Sequence, residues 1–407
     1  MYSKSRLNAI GFIKNAEHAD ISISPKYIDK LICICYHVFN GMNHKTKERA
    51  MIFHVINSSR SAMRYFRVFF VIAVSLVLCC GCSGVDGLEF AKEVYIGDGT
   101  PLLLENDILL CVKETASNEN PDASDNEFFS IDIDSGESRV VGTLYGARTS
   151  SGDILLSPDG NVYLTYQTVE KSATLYKLDL ENGSITPVYE SVSSLPFQFL
   201  SVLDDENLVL FEPDNVVLYN LLSEQTDTVA RDDADEICSA YAYNGRIYCL
   251  MYTDGEYRID VLKADGTLDE TIPLDSEKLR EASSANGNQY GILRMYVSYG
   301  TAWLKTLADT VVPISLSDGS QQGEALDGYR ISHVLSQTDK SGAVLYRTHS
   351  SEVSLFSEVN GKLSRCDLPA EKDGKAVSIR YAFFGNNQRE IVVMPDDSDS
   401  VLLYKVK

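Results

Sequence analysis

The chain has 407 residues, with 58 Asp and Glu against 36 Lys and Arg, a net charge of −22. Residues 1–81 carry +7, so the stretch from Cys82 onward holds 25 basic and 54 acidic residues, a charge of −29. A body this acidic repels phosphate backbones and argues against a nucleic-acid partner. Its cysteines (Cys111, Cys238, Cys249, Cys366) show neither a metal spacing nor the density of a disulfide scaffold.

In chain order, residues 1–62 come first. They hold 4 of the 6 histidines together with Cys33 and Cys35, and nothing in them resembles the rest of the chain. A signal-like segment begins only at Met63. Residues 1–62 are therefore expected to be upstream sequence read from too early a start, or an unstructured extension. Met63-Arg-Tyr-Phe-Arg is basic, Val68–Cys80 is a 13-residue apolar run, and Gly81 is a small residue ahead of Cys82. A bilayer core needs about 20 apolar residues, so 63–81 reads as a cleaved secretory signal. The Gly81-Cys82 junction resembles the lipobox of bacterial lipoproteins, with Cys79 where that family usually has Leu. The resemblance implies cleavage before Cys82 and lipidation of its sulfur. It also implies a lipid-anchored place in the bacterial cell envelope, facing the periplasm or the cell exterior. Acyl chains contribute roughly 0.8 kcal/mol per buried methylene, enough to hold the protein on a membrane. Residues 82–87 form a short linker.

From Leu88 to the end (88–407) a strand–turn–strand unit recurs. Its turns are Asp134-Ser135-Gly136, Glu181-Asn182-Gly183, Glu224-Gln225, Ala264-Asp265-Gly266, Ser317-Asp318-Gly319 and Asn360-Gly361, at intervals of 47, 42, 41, 53 and 42 residues. A period of about 40–50 residues with four short strands per unit predicts a β-propeller. In one unit Gly152–Ser157 reads as strand a, Asn161–Tyr166 as b, Ala173–Asp179 as c and Ser184–Tyr189 as d. Further b strands at Ile108–Lys113, Leu208–Phe211, Ile247–Tyr252, Ala302–Leu307, Ala343–Arg347 and Glu390–Met394 bring the count to seven blades. The last unit lacks a strand d, and Leu88–Ile96 is a strand with no blade of its own. The N-terminal strand is therefore expected to close the last blade and remove two exposed edges. Ser157-Pro158-Asp159-Gly160, with Leu175–Asp179 and Asn182-Gly183, resembles the repeat of TolB-type and related WD-like bacterial propellers. That resemblance implies the fold only, because propellers host many functions.

The longest connections are predicted at Glu114–Asn126 (b–c, blade 1), Arg231–Glu236 (d–a, before blade 4) and Asp275–Gln289 (d–a, before blade 5). Ser276–Ala285 could form a short helix in the last of these. All three open on one face, the one expected to dock a protein partner. Clustered carboxylates there, Asp232, Asp233 and Asp235 above all, with Asp122, Asp125, Glu127, Asp396, Asp397 and Asp399, would suit Ca²⁺, although solvated acidic loops explain them equally. No cofactor is otherwise expected. Strand a lines the channel, and Arg148, Arg294, Arg330 and Arg380 fall in strand-a windows. They form a cationic throat for an anionic ligand, or else pair with neighbouring acidic loops. His333 is the one candidate catalytic base, in a chain without a Gly-x-Ser-x-Gly elbow. A two-residue Asn244-Gly245 turn sets Cys249 opposite Ala240, so Cys238 and Cys249 are expected as free thiols. The expected role is a non-catalytic protein-binding or scaffold module. A receptor for a small anionic or glycan ligand in the channel, and a propeller hydrolase or lyase, stay open as alternatives.

Overall fold

The computed structural model describes residues 88–406 except 118–122, 148–152, 168–172, 181, 192–198, 213–214, 230–235, 284–290, 299, 308, 332–343, 360–361 and 386–389. Seven four-stranded antiparallel sheets follow one another within the compact unit Gly84–Lys407. Blade 1 is Thr100–Glu105, Ile108–Ala116, Ser124–Asp132 and Ser138–Ala147, and blade 2 is Ile154–Leu156, Val162–Gln167, Ala173–Asp179 and Ser184–Glu190. Blade 3 is Phe199–Val202, Asn207–Glu212, Asn215–Asn220 and Thr226–Val229, and blade 4 is Glu236–Tyr243, Arg246–Thr253, Glu256–Lys263 and Leu268–Pro273. Blade 5 is Ile292–Ser298, Thr301–Thr306, Thr310–Ser315 and Leu326–Asp327, and blade 6 is Tyr329–Ile331, Val344–Arg347, Glu352–Val359 and Lys362–Pro369. Blade 7 takes Ile379–Phe384, Glu390–Pro395 and Ser400–Val406 from the end of the chain and Leu88–Tyr95 from its start. That strand pairs from Leu88↔Val406 to Tyr95↔Ser400. The inner strands of blades 1 to 5 pack side by side, and blades 5, 6 and 7 continue the series. The molecule is a seven-bladed β-propeller, its ring closed by the N-terminal strand.

Burial follows position within the blade. Strand b of blade 2, Val162–Gln167, is buried at all six positions because both its faces meet neighbouring blades, whereas the outer strand Ser184–Glu190 has no fully buried residue. Each blade places at least one aliphatic side chain wholly out of solvent: Leu109, Leu175, Leu208, Ile259, Val312, Leu345 and Ile391. Burial of each contributes about 1.5–3 kcal/mol. The core is thus a series of apolar layers between blades, and no single blade could bury its own faces.

The recurrent turns are the c–d connections, and most share one construction. Gly136, Gly183, Glu224 and Gly319 each have positive φ and donate their amide to the residue four before: Asp132, Asp179, Asn220 and Ser315. The side chain of that earlier residue accepts further turn amides, as Asp132 does from Asp134 and Ser135 and Asn220 from Leu222 and Ser223. In blade 3 the position belongs to Glu224 rather than Gln225. The Asn244-Gly245 turn joins Tyr243↔Arg246, with φ of 51° and 72°. Cys249 lies opposite Ala240, Cys238 falls in a bulge, and Cys111, Cys238 and Cys249 are free thiols.

One predicted long loop is largely strand. Glu114↔Asn126, Thr115↔Asp125 and Ala116↔Ser124 are paired, so the blade 1 hairpin continues to a tip at 117–123. Asp125 and Glu127 are therefore strand residues. Their polarity reflects a hairpin that projects beyond the apolar layer, where neither face needs to be greasy. The connection before blade 5 does contain a helix, α1 (Ser276–Ser283).

Candidate functional site

The inner strands carry a hydrogen-bonded circuit. Asp153, immediately before strand a of blade 2, accepts the Leu200 amide of blade 3 (3.2 Å). Ser201 of blade 3 accepts the Ala242 amide of blade 4 (2.9 Å), and Ser239 of blade 4 accepts the Met295 amide of blade 5 (3.1 Å). Arg294 of blade 5 then donates from Nη1 back to Asp153 Oδ1 at 3.2 Å. Blades 2 and 5 are not neighbours in the ring, so this last bond crosses the central channel. The Asp153 side chain is 11% exposed and that of Arg294 39%. Burial works against the guanidinium charge, but Asp153 and Tyr296 outweigh it and keep Arg294 firmly protonated.

Aromatic rings from four blades surround this pair. Tyr241 and Tyr296 lie 5.7 Å apart between centroids, Tyr346 and Tyr381 5.9 Å, and Tyr381 and Phe383 5.5 Å. Arg294 Nη1 also reaches the Tyr296 hydroxyl at 3.4 Å. Burial pushes the Tyr241 and Tyr381 hydroxyls up, and neighbouring tyrosines and Asp153 push in the same direction. These hydroxyls stay protonated and act as hydrogen-bonding groups. They cannot serve as bases at neutral pH.

Arg330 extends from strand a of blade 6 to hydrogen-bond the Tyr346 hydroxyl, and its charge also acts on Asp309 of blade 5. Arg380 lies beside Asp396, within blade 7. The arginines of the strand-a windows thus meet carboxylates and tyrosines, and Arg294 meets its carboxylate across the channel instead of in an adjacent loop. Arg148, His333, Asp232, Asp233, Asp235 and Cys82 lie outside the described residues. Among the described residues no group of three or more His, Cys, Asp or Glu is placed to hold a metal ion. Periodicity and motif do not single out Asp153, Ser201, Ser239 or the four tyrosines. The available signal is a polar residue in an otherwise apolar inner strand, as in Asp153-Ile154-Leu155-Leu156.

On the face of the b–c and d–a connections, the blade 6 b–c turn is stitched to blade 7. His349 has φ of 58° and donates its amide to Ile379, and Ile379 donates to Ser350. His349 Nδ1 lies 3.0 Å from Asp396 Oδ2, and Ser378 Oγ donates to the same oxygen at 2.6 Å. Ser378 holds its carboxyl below the usual carboxylate range, burial opposes this, and His349 adds to the lowering. Serine and histidine both bond the carboxylate and not each other. The serine proton therefore has no path to the imidazole, and the group is a latch between blades with no triad geometry.

The same face carries α1. Asp275 caps it, accepting the Lys278 amide at its side chain and the Leu279 amide at its carbonyl. Leu279 is buried against strand c of blade 5, and Ser276 accepts the Tyr257 amide of blade 4 at 2.7 Å. Glu277, Lys278, Arg280 and Glu281 face solvent.

The opposite face, that of the a–b and c–d turns, has a groove of about 440 Å³ between blades 4 and 5. It is lined by Tyr243, Arg246, Tyr248, Glu270 and Ile272 from blade 4, with Leu316 following strand c of blade 5. Tyr248, Val261 and Glu270 form one cross-strand row running outward from Tyr241, the ring that meets Tyr296 in the channel.

No family model matches the chain, and no curated protein matches it. Similar solved structures include a chain of the mitotic checkpoint complex, at 10% identity, covering 78% of this chain and 96% of that one with a TM-score of 0.49. The N-terminal domain of Nup159 is 14% identical over 78% of this chain and 95% of that one, TM-score 0.48. The C-terminal WD40 domain of Sif2 is 11% identical over 79% and 99%, TM-score 0.43. At these identities the likeness is one of fold, and no residue role carries over. The class is that of seven-bladed propellers, defined by the blade topology itself.

Proposed function

We propose that the protein is anchored by a lipid on Cys82 in the bacterial cell envelope, facing the periplasm or exterior, and works there as a non-catalytic scaffold that docks a protein partner. The observation that carries the docking reading is α1. It is a charged helix fixed to two blades by a cap, a buried leucine and a side-chain bond to the Tyr257 amide. A rigid insertion on the b–c/d–a face offers a partner side chains that need no ordering on binding, which lowers the entropic cost of association. Strand pairing shortens the blade 1 loop and leaves α1 as the main protrusion of that face among the described residues. The neutralised Arg294 counts against an anionic ligand in the channel.

The test is mild crosslinking of the membrane-extracted protein, capture and mass spectrometry. It is repeated after residues 276–283 are replaced by a Gly-Ser linker of equal length, and after Cys82→Ser. A stoichiometric partner is expected, lost with the linker variant at unchanged thermal stability. The Cys82→Ser protein is expected in the soluble fraction. No partner above background would sink the docking reading, and membrane retention of Cys82→Ser would sink the anchor.

A further inference from the structure

We infer that the groove between blades 4 and 5 is a socket for a single arginine side chain of a partner polypeptide, on the face opposite α1. Its chemistry is amphipathic. Val261, Ile272 and Leu316 supply aliphatic wall, Tyr243 and Tyr248 supply aromatic surface, and Glu270 supplies a carboxylate at the outer end of the row. Glu270 is exposed and makes no ion pair among the described residues, whereas Arg246, the cation of the groove, is bound to Asp269 at 3.1 Å. Asp269 also draws Lys263 at 3.8 Å, so the basic groups of the rim are already neutralised. What remains uncompensated is negative.

An arginine fits this distribution of groups better than any other side chain. Its methylene stem packs on apolar wall while the charged head stays at the polar end. Its planar guanidinium stacks on tyrosine faces and pairs with a carboxylate in a fork geometry that lysine lacks. The volume lies in the range of small-ligand sites. The charge of −29 from Cys82 onward would draw such a basic segment towards the protein and repel acidic ones. The groove also has a firm outer boundary. The blade 5 c–d turn is pressed against blade 4 so closely that a Cβ on Gly319 would overlap the Pro273 carbonyl, next to Ile272 of the wall. The socket stands on this groove alone and holds whether or not α1 docks a partner.

The probe is a fluorescein-labelled peptide, Gly-Ser-Gly-Arg-Gly-Ser-Gly, and its twin with citrulline, which keeps the shape of arginine without the charge. Fluorescence anisotropy would be followed against the full-length protein in detergent. The arginine peptide is expected to bind roughly tenfold more tightly than the citrulline peptide. Glu270→Gln should abolish that preference, and Leu316→Trp, which fills the groove, should weaken both peptides at unchanged thermal stability. Glu277→Gln, the same charge change on the other face, should leave the preference intact. Equal binding of the two peptides would overturn the socket. So would an equal loss in the Glu270→Gln and Glu277→Gln variants, which would mark diffuse attraction to an acidic body.

Discussion

At the scale of single residues, the molecule places its few internal charges where they join blades. Asp153 satisfies a backbone amide of the next blade and a guanidinium from across the channel with its two oxygens. Removing it orphans both donors. We expect Asp153→Ala to cost about 2 kcal/mol in urea unfolding, less than the roughly 3–5 of a dry pair because Arg294 is partly solvated. A double-mutant cycle with Arg294→Ala should return a coupling of about 1 kcal/mol; strict additivity would show that the two side chains do not interact. Asp159 belongs to the same scale. Burial works against its ionisation, but bonds from Ser157, from the Asn161 amide and side chain and from the Tyr163 hydroxyl outweigh this and hold its carboxyl below the usual 3.8. A carboxyl depressed by folding contributes its stability fully above the unfolded value, and loses it as pH falls through the folded value. Asp159→Asn should therefore destabilise by about 1 kcal/mol at pH 7 and converge with the parent protein in unfolding experiments below pH ~3.

At the scale of elements, the c–d turns show what the repeat conserves physically. Each needs a left-handed residue to bring the chain back, and an Asp, Asn or Ser one turn earlier to occupy the amides that no strand takes. Glu224 meets the first requirement without being glycine, because Asn220 binds two of its turn's amides. Gly319 has no such latitude. It combines φ of 71° with the close approach to Pro273. Gly319→Ala is expected to cost about 3 kcal/mol, against about 1 for Gly245→Ala, whose added methyl group meets open space. Thermal melts of the two variants would decide this, and equal losses would refute the packing argument. The strand pattern is legible in the sequence because each strand alternates or is wholly apolar according to its place in the blade. The blade 1 hairpin is harder to read, since its outer half, Glu114–Ala116 and Ser124–Asn126, projects beyond the core and carries no apolar signal.

At the scale of the whole molecule, stability rests on closure. Leu88–Tyr95 is separated from its partner strand by nearly the entire propeller, and without it Ser400–Val406 would become an exposed edge beside an open ring. Deleting 88–95 is expected to lower the melting temperature by on the order of 10 °C and to promote association. A synthetic peptide of that segment added in trans should restore part of the loss. An unchanged melt would mean that blade 7 does not need its fourth strand.

Blade count, closing strand, turn positions and acidity are all readable along the chain, because each is a matter of local periodicity, local turn chemistry or plain composition. The free thiols of Cys238 and Cys249 follow from the same local register. What the interior charges do is settled in three dimensions. That Arg294 meets Asp153, 141 residues away, depends on how many blades separate them and how far each inner strand reaches into the channel. The groove between blades 4 and 5 likewise exists because two turns distant in sequence leave a gap where the sheets diverge. Periodicity specifies each blade, but the space between blades is set by packing, and packing is where the candidate chemistry of this protein lies.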